Sequence, residues 1–313
     1  MLRRIFLTGP TASGKAAAAH SLAVKIGGEI VAVDSMKIFR EMDIGTAKPA
    51  PRLRAEVPYH LIDFVDPGTD FSTGDYIPMC LRTLTEIEAR GKRVILCGGT
   101  ALYLNALIHG LFEGPKAEWS VRMRLEEQAE REGLSALHAR LASVDPAAAA
   151  RIHPNDRRRI IRAIEVHESA GSAMSEMWRG PALRLEPGSF LLFGIEWERA
   201  ALYRRIDRRV VEMVNEGLFE EARRLQARPG GLGRTARQCI GYKEILDADL
   251  GGAPIGEKGG GEIVSLIQQH TRRMAKQQMT WFKRFPIRWF RAVQSTQPEA
   301  VADWIVSEAA AEG

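Results

Sequence analysis

Cysteine is scarce in this chain: three residues, Cys80, Cys97 and Cys239, among 313. They stand far apart and form no C-x-x-C pair. A disulfide framework or zinc finger is not expected, and a reducing compartment is. Long apolar runs are lacking as well. The opening MLRRIFLTGP has a basic start, but its apolar stretch ends after Ile5-Phe6-Leu7. That is too short for a signal-peptide core, and nothing approaches the roughly 20 residues of a membrane helix. A soluble, cytoplasmic protein with no membrane partner is expected. Internal repeats are absent. Neither sign of charge dominates, since 44 basic side chains face 39 acidic ones for a net +5. A nucleic-acid partner is permitted by that sum without being required.

What is present is ordinary for a globular protein: 45% hydrophobic and 27% charged residues. Disordered, collagen-like and coiled-coil classes are thereby excluded. The length exceeds what one core usually fills, so a main domain with a second or inserted one is expected. In the first hundred residues strand and helix signals alternate. Short apolar runs at Arg4 to Thr8, Glu29 to Val33, His60 to Val65 and Val94 to Cys97 read as strands. The periodic stretches Ala16 to Ile26, Thr73 to Arg90 and Thr100 to Ile108 read as helices. That alternation predicts an α/β fold with a doubly wound parallel sheet. From Trp119 to Trp178 the chain is charged and helical, before strand character returns at Phe190 to Trp197 and briefly at Ile287 to Phe290. A helical insertion over 114–188 is predicted within one catalytic core built from 1–113 and 189–313. The glycine-rich stretches Pro229 to Gly233 and Gly251 to Gly261 read as surface loops.

Gly9, Pro10, Thr11, Ala12, Ser13, Gly14, Lys15 and Ala16 follow the phosphate-loop pattern G-x-x-x-x-G-K between a strand and a helix. Glycines let successive amides curl around a phosphate, the helix N-terminus adds partial positive charge, and Lys15 neutralises oxygens. The next position usually carries a hydroxyl that ligates magnesium; here it is the methyl of Ala16. Asp34 ends the following strand, at the edge where ligands bind in open α/β sheets. Three roles compete for it: magnesium ligand, general base, or cap of a following helix. Its place beside the phosphate loop favours chemistry. The strand ending at Cys97 runs into Gly98-Gly99-Thr100 rather than an acid, which counts against an NTP hydrolase. The glycine pair is expected to admit a flat ligand closely.

Basic residues cluster twice. Arg151, Arg157, Arg158, Arg159 and Arg162 lie in the insertion. Arg272, Arg273, Lys276, Lys283, Arg284 and Arg288 lie near the C-terminus, with no acid from His270 to Phe290. Such arginines suit phosphate contacts or a solvated helix face. The interleaved Trp281, Phe282, Phe285, Trp289 and Phe290 read as core.

The blocks GPTASGK, VDSMKIFREMDIGTAKP, GGTALYLNAL, IHPNDRRRIIRAIEV, CIGYKE and TRRMAKQQMTWFKR occur in this order from Gly9 to Arg284. Together they resemble the bacterial tRNA dimethylallyltransferases (isopentenyl-tRNA transferases). The resemblance implies a phosphate-loop core that transfers a dimethylallyl group from dimethylallyl diphosphate to the N6 amine of adenosine 37, next to the tRNA anticodon. By motif, Thr11 to Ala16 would bind the diphosphate, Asp34 would be the general base, and Arg223 would be a basic residue associated with diphosphate. Thr100 would contact the target nucleotide. Contacts to the anticodon stem-loop would come from Ser35, Met36 and Lys37, from Arg122, and from Arg158, Arg159, Ile160, Ile161 and Arg162. Gln238, Cys239, Ile240, Gly241, Tyr242 and Lys243 match a further contact loop. The implied cofactor is Mg2+, and a monomer is expected. The chain departs from the family pattern at Ala16 (Thr or Ser), Lys37 (Gln), Phe39 (Tyr), Ala101 (Gly) and Arg158 (Gln). Two alternatives stay open on the residues: an isopentenyltransferase acting on free adenylate, and a phosphate-loop kinase or RNA-binding ATPase. The basic insertion argues against the first, and the missing hydroxyl and acid argue against the second.

Overall fold

The computed structural model describes residues 3–111, 114–178, 183–249 and 257–311. The chain divides into two compact units, Met1–Ile108 with Arg184–Gly313, and His109–Leu183. In the first, β1 (Arg4–Thr8) leads into α1 (Lys15–Ile26), which Gly27 closes in the left-handed region at φ 62°, and β2 (Gly28–Ala32) follows. After α2 (Pro51–Glu56) the apolar run 60–65 yields only the two-residue β3 (Tyr59–His60). Leu61 and Asp63 adopt φ of 57° and 59°, which a strand cannot accommodate. A capping box between Ser72 and Asp75 starts α3 (Thr73–Ala89), and β4 (Arg93–Cys97) and α4 (Ala101–His109) complete this part.

The second unit is helical among the described residues: α5 (Trp119–Glu132), α6 (Leu134–Val144), α7 (Pro146–Arg151), α8 (Arg157–Ala170) and α9 (Met174–Met177). Its own core gathers Leu125, Leu137, Leu141, Ile160, Ile161 and Ile164. Both bounds fall a few residues before the expected 114 and 188. Leu111 bridges antiparallel to Leu183 inside this unit, and Leu185 N–H already donates to Leu107 O (2.7 Å) in the first.

The first unit resumes with β5 (Phe190–Trp197), α10 (Arg199–Asn215), α11 (Leu218–Gln226), α12 (Arg234–Arg237) and α13 (Tyr242–Asp249). Then come α14 (Glu257–Phe282), β6 (Arg288–Ala292) and α15 (Pro298–Ala310). Part of the expected loop Gly251 to Gly261 is therefore helix, because α14 already includes Glu257; residues 250–256 lie outside the described residues. All six strands are parallel, in the order β3-β2-β4-β1-β5-β6. Ile5, Leu7, Leu22, Ile95, Phe193, Ile195 and Ile305 form the core between β1, α1, β4, β5 and α15. The order sets β4 between β1 and β2, so the segments leaving these three strands meet at one sheet edge. No described helix is long and apolar enough to cross a membrane.

Candidate active site

The turn from β1 into α1 has the backbone that a phosphate loop requires. Gly9 (φ 150°) has no room for a side chain, since a Cβ there would lie 2.9 Å from Ile195 O and from Ser13 Oγ. Ala12 (φ 61°) and Gly14 (φ 90°) take left-handed geometry, and Ser13 N–H closes the turn on Pro10 O at 3.2 Å. Three side chains from later elements brace the loop. Trp197 Nε1 donates to Ser13 O (3.0 Å), Arg205 Nε to Ala12 O (2.9 Å), and Gln278 Oε1 accepts Thr11 N–H (2.9 Å). Arg205 also stacks on Trp197 at 4.2 Å. Lys15 Nζ donates to Pro10 O at 3.1 Å. Desolvation pushes its pKa from 10.5 down to about 8, with repulsion from Lys37 and Arg209 acting the same way and Cys97 and Asp34 opposing it.

Gly98 and Gly99 serve the protein's own packing rather than a flat ligand. A Cβ on Gly98 would sit 1.9 Å from Val33 O, and one on Gly99 would lie 2.7 Å from Gln278 Nε2 and 3.3 Å from Lys15 Nζ. The glycine pair thus lets the end of β4 touch the segment after β2 and the phosphate loop together. Thr100 Oγ1 accepts Ser35 N–H at 3.0 Å, binding the two segments. Asp34 Oδ1 accepts the amides of Met36 (2.9 Å) and Lys37 (3.2 Å). Capping and chemistry are therefore compatible. One oxygen organises the turn, and the described structure gives Oδ2 no hydrogen-bond partner.

Arg209 on α10 completes this cluster, and the motif reading missed it. Its guanidinium interacts electrostatically with Asp34 and Lys15, and desolvation by burial lowers its pKa. Among the described residues it forms no ion pair. Its only signal in sequence is its spacing from Ile206 and Val210, which the structure shows to be buried, and that spacing alone does not point to the loop. Arg223, the expected diphosphate contact, is exposed on α11 and stacks on Phe219 at 6.0 Å.

The loop position that ordinarily ligates magnesium offers no oxygen here. Ala16 offers a methyl group, and Ser13 Oγ is sealed from solvent with no hydrogen-bond partner. Among the described residues no three His, Cys, Asp or Glu side chains stand together as a metal-binding group. Hard Mg2+ takes oxygen ligands in octahedral array, and beside the loop the single carboxylate of Asp34 stands with the cations Lys37 and Arg209.

The expected RNA-contacting residues separate by burial. In the helical unit Arg158 and Arg159 are exposed, with Arg159 3.5 Å from Asp156. Ile160 and Ile161 belong to the core. Arg122 Nε and Arg162 Nη1 both donate to fully buried Glu165, at 2.9 and 2.8 Å, and Arg162 Nη2 donates to Pro115 O at 2.6 Å. Arg157 pairs with Glu126 and Glu130. In the other unit Gln238 and Lys243 are exposed, Ile240 is partly so, and Cys239 and Tyr242 are buried. Gly241 N–H donates to Glu244 (2.6 Å). Tyr242 Oη donates to Glu221 (2.5 Å), whose carboxylate also accepts the amides of Asp43, Ile44 and Gly45. These groups order the loop after Phe39. Of the C-terminal aromatics Phe282 and Phe285 are buried as expected, whereas Trp281, Trp289 and Phe290 are only half-buried, Phe290 lying edge-on to Trp304 and Trp281 under the Arg284 guanidinium.

Residues 37–285 match the family described as IPP transferase. The tRNA dimethylallyltransferase of Geobacter metallireducens is 49% identical over 282 residues, 90% of each chain, and that of Geobacter sulfurreducens is 48% identical over 286 residues, 91% of this chain and 90% of its own. The full-length tRNA isopentenylpyrophosphate transferase structure from Bacillus halodurans superposes with a TM-score of 0.68 at 35% identity, covering 100% of this chain and 98% of that one. A phosphate loop facing a strand-end aspartate, a helical unit inserted after α4, and similarity over nearly the whole length agree: this chain belongs to the IPP transferase family of tRNA dimethylallyltransferases.

Proposed function

We infer that the chain transfers a dimethylallyl group from dimethylallyl diphosphate to the N6 amine of an adenosine beside the tRNA anticodon. The observation that carries this is the division of labour at Asp34: Oδ1 is held by two amides, and Oδ2 is left for a substrate proton. An adenine amine is a weak nucleophile because its lone pair is delocalised into the ring. A fixed carboxylate that takes its proton as the bond forms raises its reactivity. The new bond joins N6 to the allylic carbon while the carbon–oxygen bond to diphosphate breaks, and the diphosphate departs with the electron pair. Loop amides, Lys15 and Arg209 face the negative charge that develops there. Gln278, Trp197 and Arg205 hold the loop in place before the reaction starts, so little reorganisation is needed. The target base must leave its stack to meet Asp34, at a cost of a few kcal/mol that protein contacts offset. Exposed Arg158 and Arg159 on the helical unit, and Gln238 and Lys243 on the core unit, offer polar and cationic contacts to the anticodon stem-loop.

Purified chain incubated with unmodified tRNA and dimethylallyl diphosphate is expected to yield N6-dimethylallyladenosine on nucleoside analysis. ATP hydrolysis without prenylation would overturn the reading.

A further inference from the structure

Two departures from the family pattern, Ala16 and Lys37, meet at one site. Ala16 removes the hydroxyl that a phosphate loop ordinarily offers a divalent ion. Lys37 adds an ammonium on the turn that fixes Asp34, where it acts electrostatically on Lys15 across the sheet edge. We propose that in this chain Lys15, Lys37 and Arg209 together neutralise the leaving diphosphate, with no magnesium ion held by the protein at the loop. This inference rests on the prenyl-transfer reading and assigns the charge partner of its leaving group.

Donor chemistry argues for it first. The alanine has no oxygen to offer, the Ser13 hydroxyl is sealed, and one oxygen of Asp34 is engaged by two amides. Metal on the other oxygen would take the base that the reaction needs. Charge argues for it next. Lys37 and Arg209 already repel the Lys15 ammonium at the loop, and a divalent ion brought among these cations would add to that repulsion. A diphosphate would relieve it, since its terminal phosphate alone carries about −1.5 to −2 near neutral pH. Position is the third argument. Lys37 is pinned through its backbone on both sides, its amide to Asp34 Oδ1 (3.2 Å) and its carbonyl to Asp63 N–H (3.0 Å). Among the described residues neither the Lys37 ammonium nor the Arg209 guanidinium forms an ion pair. Asp34, Glu212 and Glu216 act on Arg209 without an ion pair, and a bound anion would pair the partly buried cations directly.

The test is calorimetric titration of the full chain with inorganic diphosphate, in EDTA and in excess magnesium. The parent is expected to bind in EDTA within about threefold of its affinity in magnesium. Lys37→Gln should weaken the EDTA affinity about tenfold, one charge contact's worth. Ala16→Thr should make binding respond to magnesium. Circular dichroism confirms that the variants are folded. Parent binding that requires magnesium, or a Lys37→Gln titration matching the parent, would overturn the proposal. Nucleoside analysis with tRNA separates the two inferences. Metal-free diphosphate binding without prenylated adenosine removes the prenyl-transfer reading alone, whereas prenylation with binding lost in EDTA removes the charge assignment alone.

Discussion

Gln278 Oε1 accepts the Thr11 N–H at 2.9 Å, so a helix from the end of the catalytic core closes on the phosphate loop near its beginning. The same side chain donates to Gly99 O at 2.8 Å. One amide group therefore clamps two of the three segments that build the site. Gln278→Ala leaves a backbone donor and acceptor unmatched and should cost about 1–2 kcal/mol. In a chain of this size that lowers Tm by a few degrees. Gln278→Glu keeps the acceptor but sets a carboxylate oxygen against Gly99 O, so it should weaken diphosphate binding more than alanine does. Thermal melts and diphosphate titrations on both variants check the order.

At Asp34 the two oxygens have separate tasks, and an amide replacement separates them experimentally. Asp34→Asn preserves an acceptor for the Met36 and Lys37 amides, so the turn and tRNA binding should survive. It cannot take a proton, and the single-turnover rate of prenyl transfer should fall about 10²–10⁴-fold. Asp34→Ala should lose the rate and loosen the turn as well. A near-parental rate for Asp34→Asn in a rapid-quench assay would remove the base assignment.

Local patterns made the sheet, the phosphate loop and Asp34 readable, because each depends on residues close in sequence. The strand at Phe190–Trp197 has the predicted bounds, since the apolar run Phe190 to Ile195 between polar flanks has few other fates. Long-range partners were not readable. Gln278 and Arg209 reach the site from α14 and α10, through folding that no spacing rule encodes. The anchoring of Arg122 and Arg162 was not readable either. The resemblance marked both for RNA, and Glu165, the fully buried acid that engages them, stands on a helix face visible only once Ile160, Ile161 and Ile164 are known to be core. Gly98 likewise suggested space for a ligand, and the space is taken by Val33 O.

Exposed and engaged arginines of the helical unit should therefore respond differently to mutation. Arg158→Glu should weaken tRNA binding and flatten its salt dependence by about one phosphate contact, with the fold intact. Arg162→Ala strips one partner from a buried carboxylate that Arg122 and the Glu118 amide still engage, and should destabilise the unit by about 1–3 kcal/mol. Glu165→Gln should also destabilise it, by leaving Arg122 and Arg162 facing a neutral group. Filter binding across a salt series, paired with chemical denaturation, distinguishes the two classes.

Lys15 connects the phosphate site to stability through pH. Desolvation lowers its pKa to about 8, so the folded chain without ligand disfavours the charged form. Between pH 8 and the ordinary lysine range the unfolded chain keeps a proton that the folded chain has released. Stability therefore rises with pH across that window, and the cost is fully present below it. Lys15→Met removes the buried charge and should be more stable than the parent at pH 7, by about 1–3 kcal/mol once partial exposure is allowed for. The gap should close as pH approaches 10.5. Diphosphate reverses the preference, because an anion beside the ammonium favours the protonated form. Parent affinity for inorganic diphosphate should accordingly decline as pH rises through 8, although the ligand itself grows more negative over that range. A site held by backbone amides alone would keep its affinity there. Urea denaturation of parent and Lys15→Met from pH 7 to 10.5, with diphosphate titrations at the same values, measures both trends. A gap in stability that does not narrow would show that Lys15 keeps its proton in the free fold.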